Sequence, residues 1–284
     1  MIGIIANELD WNVRELMREI TNKGSECTVF PITEFLAKVS CSHRVTWRDL
    51  IIDEMDAIFV RWVPGGSAEQ VVFRMDVLHR LENLGINIIN PSKSIEQCAD
   101  KYYTCSLLED AGIPTPQTVC TEQYQEAMDA FDELGDVVVK PLFGSQGIGV
   151  MRIQDRDLAH RLFRILDYGN CVFYIQKFIP HKNEDYRAFV VGDEVISSMR
   201  RRGSSWKTNF ARGASVEKVS LPCEAREMAV AASEVVGCHY AGVDILPGSD
   251  QNYIIEVNSI PGWKGLQSVT KFCIAERVVN YFLD

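Results

Sequence analysis

A glycine-rich segment that joins two strand-like stretches constrains this chain more than any other feature. The segment runs from Lys140 to Val150, KPLFGSQGIGV, and no helix opens after its glycines. Dinucleotide-binding loops and Walker-type phosphate loops both need a helix N-terminus immediately after the glycines, so both are excluded. A glycine-rich hairpin can instead fold over a phosphate chain, because no Cβ keeps its backbone N–H groups away from the oxygens. Lys140 would add a fixed positive charge, although an ordinary hairpin with a surface lysine explains the segment alone equally well.

Strands and helices alternate over the first 92 residues. The predicted strands are Ile2–Ala6, Cys27–Phe30, Asp56–Trp62 and Ile86–Asn90, and the predicted helices are Trp11–Asn22 and Ala68–Leu84. This rhythm predicts a small, open, mostly parallel sheet, which binds ligands beyond the carboxyl ends of its strands. Arg61 lies at one such end and Arg74 lies in the next helix, so both are candidates for binding a substrate carboxylate. The alternative, an ordinary salt-bridged arginine, is more favoured for Arg74 than for Arg61.

The pattern changes after Pro91, which marks a boundary. The helices predicted in this part are Ser94–Ala111, Glu122–Leu134, Arg156–Asp167, Pro222–Val236 and Leu266–Phe282. The strands are Val137–Lys140, Val172–Phe178, Tyr186–Val191, Glu194–Met199, Ala241–Leu246 and Tyr253–Val257. From Asp185 onward the strands follow an antiparallel pattern, with Gly192-Asp193 as a hairpin turn. The chain is therefore expected to be an α/β (α+β) protein with a parallel first lobe and an antiparallel last lobe.

Acidic and amide side chains interrupt two apolar strands near the C-terminus. Glu256 and Asn258 are two residues apart, so their side chains project from the same face, and Asp244 on the neighbouring strand can converge with them. Two carboxylates and an amide oxygen suit Mg²⁺. A solvated edge strand is the alternative. Metal binding is favoured, because burying carboxylates in an apolar strand without a cation is costly.

Basic residues crowd one predicted loop of an otherwise acidic chain. The chain has a net charge of −10 and a pI near 5.1, which disfavours a general nucleic-acid-binding surface. The basic group comprises Arg200, Arg201, Arg202, Lys207 and Arg212, with Trp206 and Asn209 in the same loop. A pocket for phosphate or a substrate carboxylate is at least as favoured as a solvated surface.

Two compositional features bear on where the protein works. The nine cysteines include no Cys-x-x-Cys pair, which indicates reduced thiols in a cytoplasmic protein. No apolar run approaches the length of a membrane span.

The order of these motifs resembles the ATP-grasp superfamily, in the branch of the ribosomal-protein glutamate ligase RimK, and most closely the tetrahydromethanopterin:α-L-glutamate ligases. The resemblance runs from about Ile88 to the C-terminus and is looser before it. It is carried by INP(89–91), ADK(99–101), VVKP(138–141), GSQGIG(144–149), YIQKFI(174–179), DYRAFVV(185–191), WKTN(206–209), AGVD(241–244) and IEVNSIPG(255–262). It implies an N-terminal substrate-side domain (1–92), a linker helix and the start of the central lobe (93–121), a central lid lobe (122–180) and a catalytic lobe (181–284).

The resemblance also implies roles for single residues. Lys101 and Lys140 would bind ATP phosphates under a lid containing Gly144, Ser145, Gln146, Gly147 and Gly149. Gln176, Lys177, Phe178 and Ile179 would line the adenine pocket, with Asp185 near the ribose. Asp244, Glu256 and Asn258 would hold Mg²⁺, or Mn²⁺ in its place. Lys207, Asn209 and Arg212 would act at the γ-phosphate and the acyl phosphate; Lys207 stands where the ribosomal-protein ligases tend to carry arginine.

The expected reaction is ATP-dependent joining of a carboxylate to an amine through an acyl phosphate. The expected partners are an amino acid such as glutamate and a small-molecule carboxylate of pterin or furan type, with no nucleic acid and no membrane, in a chain that can form a homo-oligomer. Two alternatives stay open. One is modification of a protein C-terminus as RimK performs it, and the other is a non-catalytic ATP-binding regulatory protein.

Overall fold

A parallel sheet forms the first lobe, as the alternating pattern predicts. The computed structural model describes residues 1–144, 147–208 and 213–283. The elements of the first lobe are β1 Ile2–Ile5, α1 Trp11–Asn22, β2 Cys27–Phe30, β3 Leu36–Ala37, β4 Val45–Trp47, β5 Leu50–Ile51, β6 Ala57–Val60, α2 Ala68–Asn83 and β7 Asn87–Ile89. The sheet has the order β2-β1-β6-β7 with parallel pairing throughout. The small antiparallel sheet β3-β4-β5 was not predicted, because its strands are only two or three residues long.

The helix predicted over Ser94–Ala111 is two helices. They are α3 Ser92–Ala99 and α4 Lys101–Asp110. Asp100 between them is extended, with φ −88° and ψ 103°, and its side chain accepts a hydrogen bond from the N–H of Tyr103. Asp100 thereby caps a new helix N-terminus. The break places Lys101 at the first position of α4.

The central lobe is an antiparallel sheet covered by two helices. Its elements are β8 Thr118–Thr121, α5 Tyr124–Leu134, β9 Val137–Lys140, β10 Met151–Ile153, α6 Arg156–Tyr168 and β11 Phe173–Lys177, with the strand order β10-β9-β11-β8. Strands β9 and β10 pair antiparallel, with Met151 opposite Val139, so the glycine-rich segment joins two strands of one hairpin. Gly144, Gly147 and Gly149 have φ angles of 153°, 68° and 73°, a region that favours glycine.

The last lobe is a five-stranded antiparallel sheet in the order β14-β13-β12-β15-β16. Its elements are β12 Glu184–Val191, β13 Glu194–Arg202, β14 Ser215–Lys218, α7 Cys223–Val235, β15 Tyr240–Pro247, β16 Asn252–Asn258, α8 Lys264–Gln267 and α9 Ile274–Leu283. The closing helix predicted over Leu266–Phe282 is thus wrong. The side chain of Gln267 explains the break, because its Oε1 accepts the first N–H of α9, from Ile274, and its Nε2 donates to the carbonyl of Phe272.

The first and last lobes share a hydrophobic core and a buried polar contact. Ile4 of β1, Leu16 of α1, Val278 of α9 and Phe189 of β12 belong to one buried cluster. Asn90, fully buried after β7, donates to the carbonyls of Tyr240 and Ser259, at 2.8 and 2.6 Å, and accepts from the N–H groups of His239 and Tyr240. The two lobes are therefore joined by packing and by a side chain whose amide group is fully hydrogen-bonded.

Candidate functional site

A cleft lies between the central sheet and the last sheet. Its empty volume is about 930 Å³, including the solvent at its open side. It is lined by twelve of the residues predicted to act in the site: Lys101, Lys140, Gly144, Gly147, Gln176, Lys177, Phe178, Ile179, Asp185, Lys207, Asp244 and Glu256. Ser145, Gln146, Asn209 and Arg212 lie outside the described residues. Residues that are distant in the sequence thus meet in one cleft.

Two lysines bring positive charge to the inner part of the cleft. Lys140 Nζ donates to Gln176 Oε1 at 2.6 Å, and Lys101 Nζ donates to the carbonyl of Gly144 at 2.7 Å. Burial lowers the pKa of both ammonium groups. Within the described ranges, neither lysine has a carboxylate oxygen within 4 Å. Two desolvated cations without an ion-pair partner are suited to a polyanionic ligand.

The end of β11 offers one backbone donor to the cleft. The N–H groups of Lys177 and Phe178 donate to the carbonyls of Gln117 and Asp136, both at 2.8 Å. The N–H of Ile179 has no hydrogen-bond acceptor in the part of the chain that the structure describes. The apolar Phe178 and Ile179 both line the cleft, so this wall can take a flat ring with an acceptor atom on its edge.

A buried ion network lies in the floor of the cleft. The Arg201 guanidinium donates to both carboxylate oxygens of Asp185, at 2.7 and 2.6 Å, and its Nη2 lies 2.9 Å from Asp244 Oδ1. Arg187 makes a two-pronged contact with Asp244, with Nη2 2.9 Å from Oδ2. Burial raises the pKa of Asp185. Burial alone would also raise the pKa of Asp244, but the charges of Arg187 and Arg201 outweigh it and lower that pKa.

The network revises the interpretation of the arginine run. Arg200, Arg201 and Arg202 lie on β13 instead of in a loop. Arg200 and Arg202 project from one face and pair with Glu184, whereas Arg201 projects from the other and is 4% exposed. The prediction of a loop that presents all three guanidinium groups to phosphate is therefore wrong. Strand alternation separates the side chains, and the buried one already has two carboxylates.

The predicted metal ligands fall on adjoining strands. Asp244 of β15 lies opposite Glu256 of β16, and Gly242 lies opposite Asn258. None of the described residues hydrogen-bonds the Glu256 carboxylate, whereas Asp244 is held by two arginines. Asn258 donates to the carbonyl of Gly242 at 3.3 Å and does not line the cleft. The arginines account for the burial of Asp244, so the strongest support for a cation comes from Glu256, a free carboxylate beside the two lysines.

The carboxylate of Asp185 is hydrogen-bonded by two side chains of the chain itself. It accepts from Arg201 and from the Thr208 hydroxyl, whose Oγ1 is 2.6 Å from Oδ2. It lines the cleft, yet its hydrogen-bonding capacity is largely used by the chain itself. Sequence reasoning missed Arg187 and Thr208 as part of this network. The DYR motif contains Arg187, and its spacing of two from Asp185 on one strand is the signal that could have located it.

Arg61 and Arg74 are buried and bonded to backbone carbonyls. Arg61 donates to the carbonyl of Pro261 at 2.8 Å and to the Tyr240 hydroxyl at 3.2 Å, and its guanidinium lies 4.8 Å from the centre of the Trp263 ring system. Arg74 donates to the carbonyls of Pro64 and Gly65. Both side chains fix loops and neither lines the cleft. This placement favours the structural interpretation for both and is against their selection as substrate ligands.

Comparisons with known proteins place these features in a family. A profile of the RimK-like ATP-grasp domain matches residues 98–282. The tetrahydromethanopterin:alpha-L-glutamate ligase of Methanococcus maripaludis is 34% identical over 100% of this chain and 98% of its own. The alpha-aminoadipate–LysW ligase LysX of Sulfurisphaera tokodaii is 29% identical over 99% and 97%. The solved structure of the ATP-grasp ligase PsnB with its minimal precursor, Mg and ADP superposes with a TM-score of 0.76 at 20% identity, covering 98% of this chain and 96% of that one.

Two further observations concern the chain as a whole. Across the described residues, no helix is long and apolar enough to cross a membrane. All nine cysteines are free thiols. The sulfurs of Cys98 and Cys238 lie 3.6 Å apart, within hydrogen-bonding distance for thiols.

Proposed function

Because this chain belongs to the RimK-like ATP-grasp family and is an ATP-dependent ligase that forms amide bonds, we propose that it adds glutamate, or a similar amino acid, to the carboxylate of a small-molecule cofactor of pterin or furan type. Identity of 34% over the whole chain with a tetrahydromethanopterin:alpha-L-glutamate ligase supports this choice. The observation that carries the ligase chemistry is the cleft, where the partly desolvated cations Lys101 and Lys140 lie beside the Glu256 carboxylate, which no described residue hydrogen-bonds.

In the proposed first step, an oxygen of the acceptor carboxylate attacks the γ-phosphorus of ATP. The new C–O–P linkage forms as the bond between the γ-phosphorus and the bridging oxygen breaks, and ADP leaves. Lys101 and Lys140 hold the phosphate chain, and the glycine-rich segment covers it. Positioning and neutralisation of charge supply most of the rate, because phosphoryl transfer needs little covalent help.

Mg²⁺ would neutralise phosphate charge when bound, and Glu256, Asp244 and Asn258 are the residues we propose to hold it. Glu256 is the best supported of the three, since its carboxylate is free of hydrogen bonds to the described residues. Asp244 keeps about one lone-pair site beyond the three used by Arg187 and Arg201.

In the second step, the amino group of the amino acid attacks the acyl carbon, and inorganic phosphate leaves as the amide forms. The lobes exclude water from the acyl phosphate, which would otherwise hydrolyse. Lys207 lines the cleft and its Nζ donates to the carbonyl of Val150 at 2.6 Å, so it lies where the glycine-rich hairpin meets the last lobe. We assign Lys207, Asn209 and Arg212 to the developing charge on the acyl phosphate.

A second acceptor class is a peptide or an amino-acid carrier protein. The similarity over 99% of this chain to an alpha-aminoadipate–LysW ligase, whose substrate differs from that of the pterin ligases, favours a second acceptor class. The same cleft serves both classes, and only the first lobe would differ in what it binds. The third hypothesis is a non-catalytic ATP-binding protein. It predicts no turnover with any acceptor.

We also propose that Mn²⁺ can replace Mg²⁺, that the protein works in the cytoplasm and that it forms a homo-oligomer. The nine free cysteines support a reducing compartment. The oxygen ligand set does not distinguish the two metals, because both prefer carboxylate and amide oxygens.

The test is ADP release with ATP and Mg²⁺ across a panel of amino acids crossed with pterin, furan, peptide and carrier-protein carboxylates. Glu256→Gln should lower acceptor-dependent release by about 100-fold or more. Glu276→Gln on the exposed face of α9 is the matched control and should leave it unchanged. Hydroxylamine should trap the acyl phosphate as a hydroxamate. If the protein binds ATP but gives no ADP release and no hydroxamate across the panel, the proposal is contradicted and a non-catalytic regulatory protein is favoured.

A further inference from the structure

One loop contacts three separate parts of the site. Residues 203–208, named here the Thr208 loop, follow β13 directly. Trp206 stacks edge-on against Phe178 with 6.1 Å between ring centroids, and Lys207 donates to the carbonyl of Val150. Thr208 donates its hydroxyl hydrogen to Asp185. The first two contacts reach the central lobe, and the third reaches the sheet of the last lobe.

The Thr208 hydroxyl enters the buried ion network directly. Thr208 is 6% exposed, and its Oγ1 lies 2.6 Å from Asp185 Oδ2. The same carboxylate accepts from Arg201, whose Nη2 also contacts Asp244. A hydrogen bond to a buried charged group is roughly twice as strong as one between neutral groups. The loop is therefore tied, through two charged residues, to the strand that carries Asp244 and adjoins Glu256.

At the start of the loop, the backbone is packed closely around Gly203. A Cβ at Gly203 would lie 2.5 Å from the carbonyl oxygen of Lys207 and 2.8 Å from that of Ser205. The Gly203 N–H donates to the carbonyl of Asn183 at 3.0 Å. The backbone of Lys207 thus passes too close to Gly203 for a side chain there, and Lys207 directly precedes Thr208.

We propose that Thr208 is a positioning residue. Its hydrogen bond to Asp185 keeps the neighbouring Lys207 in place relative to the sheet of the last lobe. The inference rests on the proposed function, in which Lys207 acts on the transferring phosphoryl group. Trp206 and Lys207 contact the central lobe, whereas the Thr208–Asp185 bond lies within the last lobe. The hydroxyl therefore ties the loop to the sheet of the last lobe by a bond that does not involve the central lobe.

Three variants separate positioning from general stability. Thr208→Val keeps the shape and removes the hydroxyl, Thr208→Ser keeps the hydroxyl, and Thr270→Val removes a buried hydroxyl that donates to the carbonyl of Leu266 away from the cleft. In Thr208→Val, Asp185 keeps both bonds from Arg201, so the fold is preserved. Thermal melting of all three checks that point.

The first measurement is steady-state ADP release with saturating acceptor. Thr208→Val should lower kcat by about 10- to 100-fold and change the KM for ATP by less than about 3-fold, because misplacement of about 1 Å costs up to about 100-fold in rate. Thr208→Ser should recover kcat to within about 3-fold of the wild type, and Thr270→Val should change the melting temperature alone. Equal kcat in Thr208→Val and wild type, or no recovery with serine, would overturn the proposal.

The second measurement needs no acceptor and therefore decides the proposal even if the assigned substrates are wrong. Amide hydrogen exchange of residues 203–208, with a non-hydrolysable ATP analogue bound, should be about 10-fold faster in Thr208→Val and unchanged in Thr208→Ser and Thr270→Val. Unchanged exchange in Thr208→Val would overturn the positioning role. A wild-type protein with no turnover but with hydroxyl-dependent exchange would refute the proposed function and leave the positioning role supported.

Discussion

Lys140 is half-buried, and among the residues that the structure describes no carboxylate oxygen lies within 4 Å of its ammonium group. Its ammonium group donates to the neutral Gln176 Oε1, and burial lowers its pKa. Lys101 is in the same situation, bonded to the carbonyls of Leu142 and Gly144. A partly desolvated cation with no carboxylate in direct contact is less favourable in the empty protein than it becomes once phosphate arrives. These two residues therefore make nucleotide binding sensitive to pH.

The affinity for ATP should fall as the pH rises through the lowered pKa of the two lysines toward 10.5, the ordinary lysine value. The direction of this change in affinity follows from the lowered pKa of the two lysines. Above that pKa the empty protein holds neutral lysines, while bound phosphate requires them charged, so binding must take up protons. Titration calorimetry at a series of pH values measures this. Lys140→Arg, which stays charged, should flatten the alkaline fall, and a wild-type affinity that is constant up to about pH 10 would contradict the argument.

At the scale of elements, the break between α3 and α4 directs a functional side chain. Asp100 caps α4 by accepting the N–H of Tyr103 at 3.0 Å, and this cap fixes where the helix starts. Lys101 is the first residue after the cap, and its side chain crosses to the glycine-rich segment. The start of the helix and the position of the ammonium group are thus set together.

Asp100→Ala should lower the free energy of unfolding by about 1 kcal/mol and weaken ATP binding, because the first turn of α4 frays. Asp100→Asn keeps a good cap and removes the charge, so it should retain both stability and ATP affinity. Asp155→Ala removes the equivalent cap of α6 and should lower stability alone. Urea unfolding and fluorescence-based ATP titration measure the two effects. Equal ATP affinities in Asp100→Ala and Asp155→Ala would show that the cap does not position Lys101.

Periodicity predicted the elements whose pattern is local. Strand β2 and helix α1 have the bounds that alternation and glycine signals indicate, and the parallel first sheet follows from their order. The break at Asp100 was not predictable from periodicity, because apolar spacing continues through it. Arg201 was misplaced for a similar reason, since a run of three arginines suggests a loop. Its burial becomes favourable through Asp185 on the adjoining strand β12 and Asp244 on β15, the strand beyond it. The sequence thus predicted which residues meet in the cleft better than how they pair.

At the scale of the whole molecule, Asn90 joins the first lobe to the last. Its carboxamide donates two hydrogen bonds and accepts two, all with backbone groups of Ser259 and residues 239–240. Arg61 adds a second contact, to the carbonyl of Pro261. Both contacts lie close to the segment that follows the predicted metal-binding strand β16. The proposed acceptor-binding lobe and the catalytic sheet are therefore held in a fixed relation.

Asn90→Asp should lower the free energy of unfolding by about 3 kcal/mol or more, since it buries a charge and faces two carbonyls with an oxygen that cannot donate. The control is Asn87→Asp, the same substitution at an exposed position of β7, which should stay within about 0.5 kcal/mol of the wild type. Urea unfolding followed by tryptophan fluorescence compares them. Similar losses in both variants would mean that the inter-lobe bonds contribute little.

The Asn90 contact also determines how this enzyme could be recombined with its relatives. If acceptor choice resides in residues 1–92, a chimera that exchanges this lobe would transfer specificity and leave the nucleotide cleft intact. All four bonds of Asn90 end on backbone atoms, so they place no demand on the side chains of the recipient. Arg61 makes one backbone bond but also contacts the Tyr240 hydroxyl and the Trp263 ring. A crossover after Ser92 would therefore tolerate sequence divergence at the Asn90 contact, whereas Tyr240, Trp263 and the last-lobe side chains of the shared hydrophobic core, such as Phe189 and Val278, must be matched with the incoming lobe.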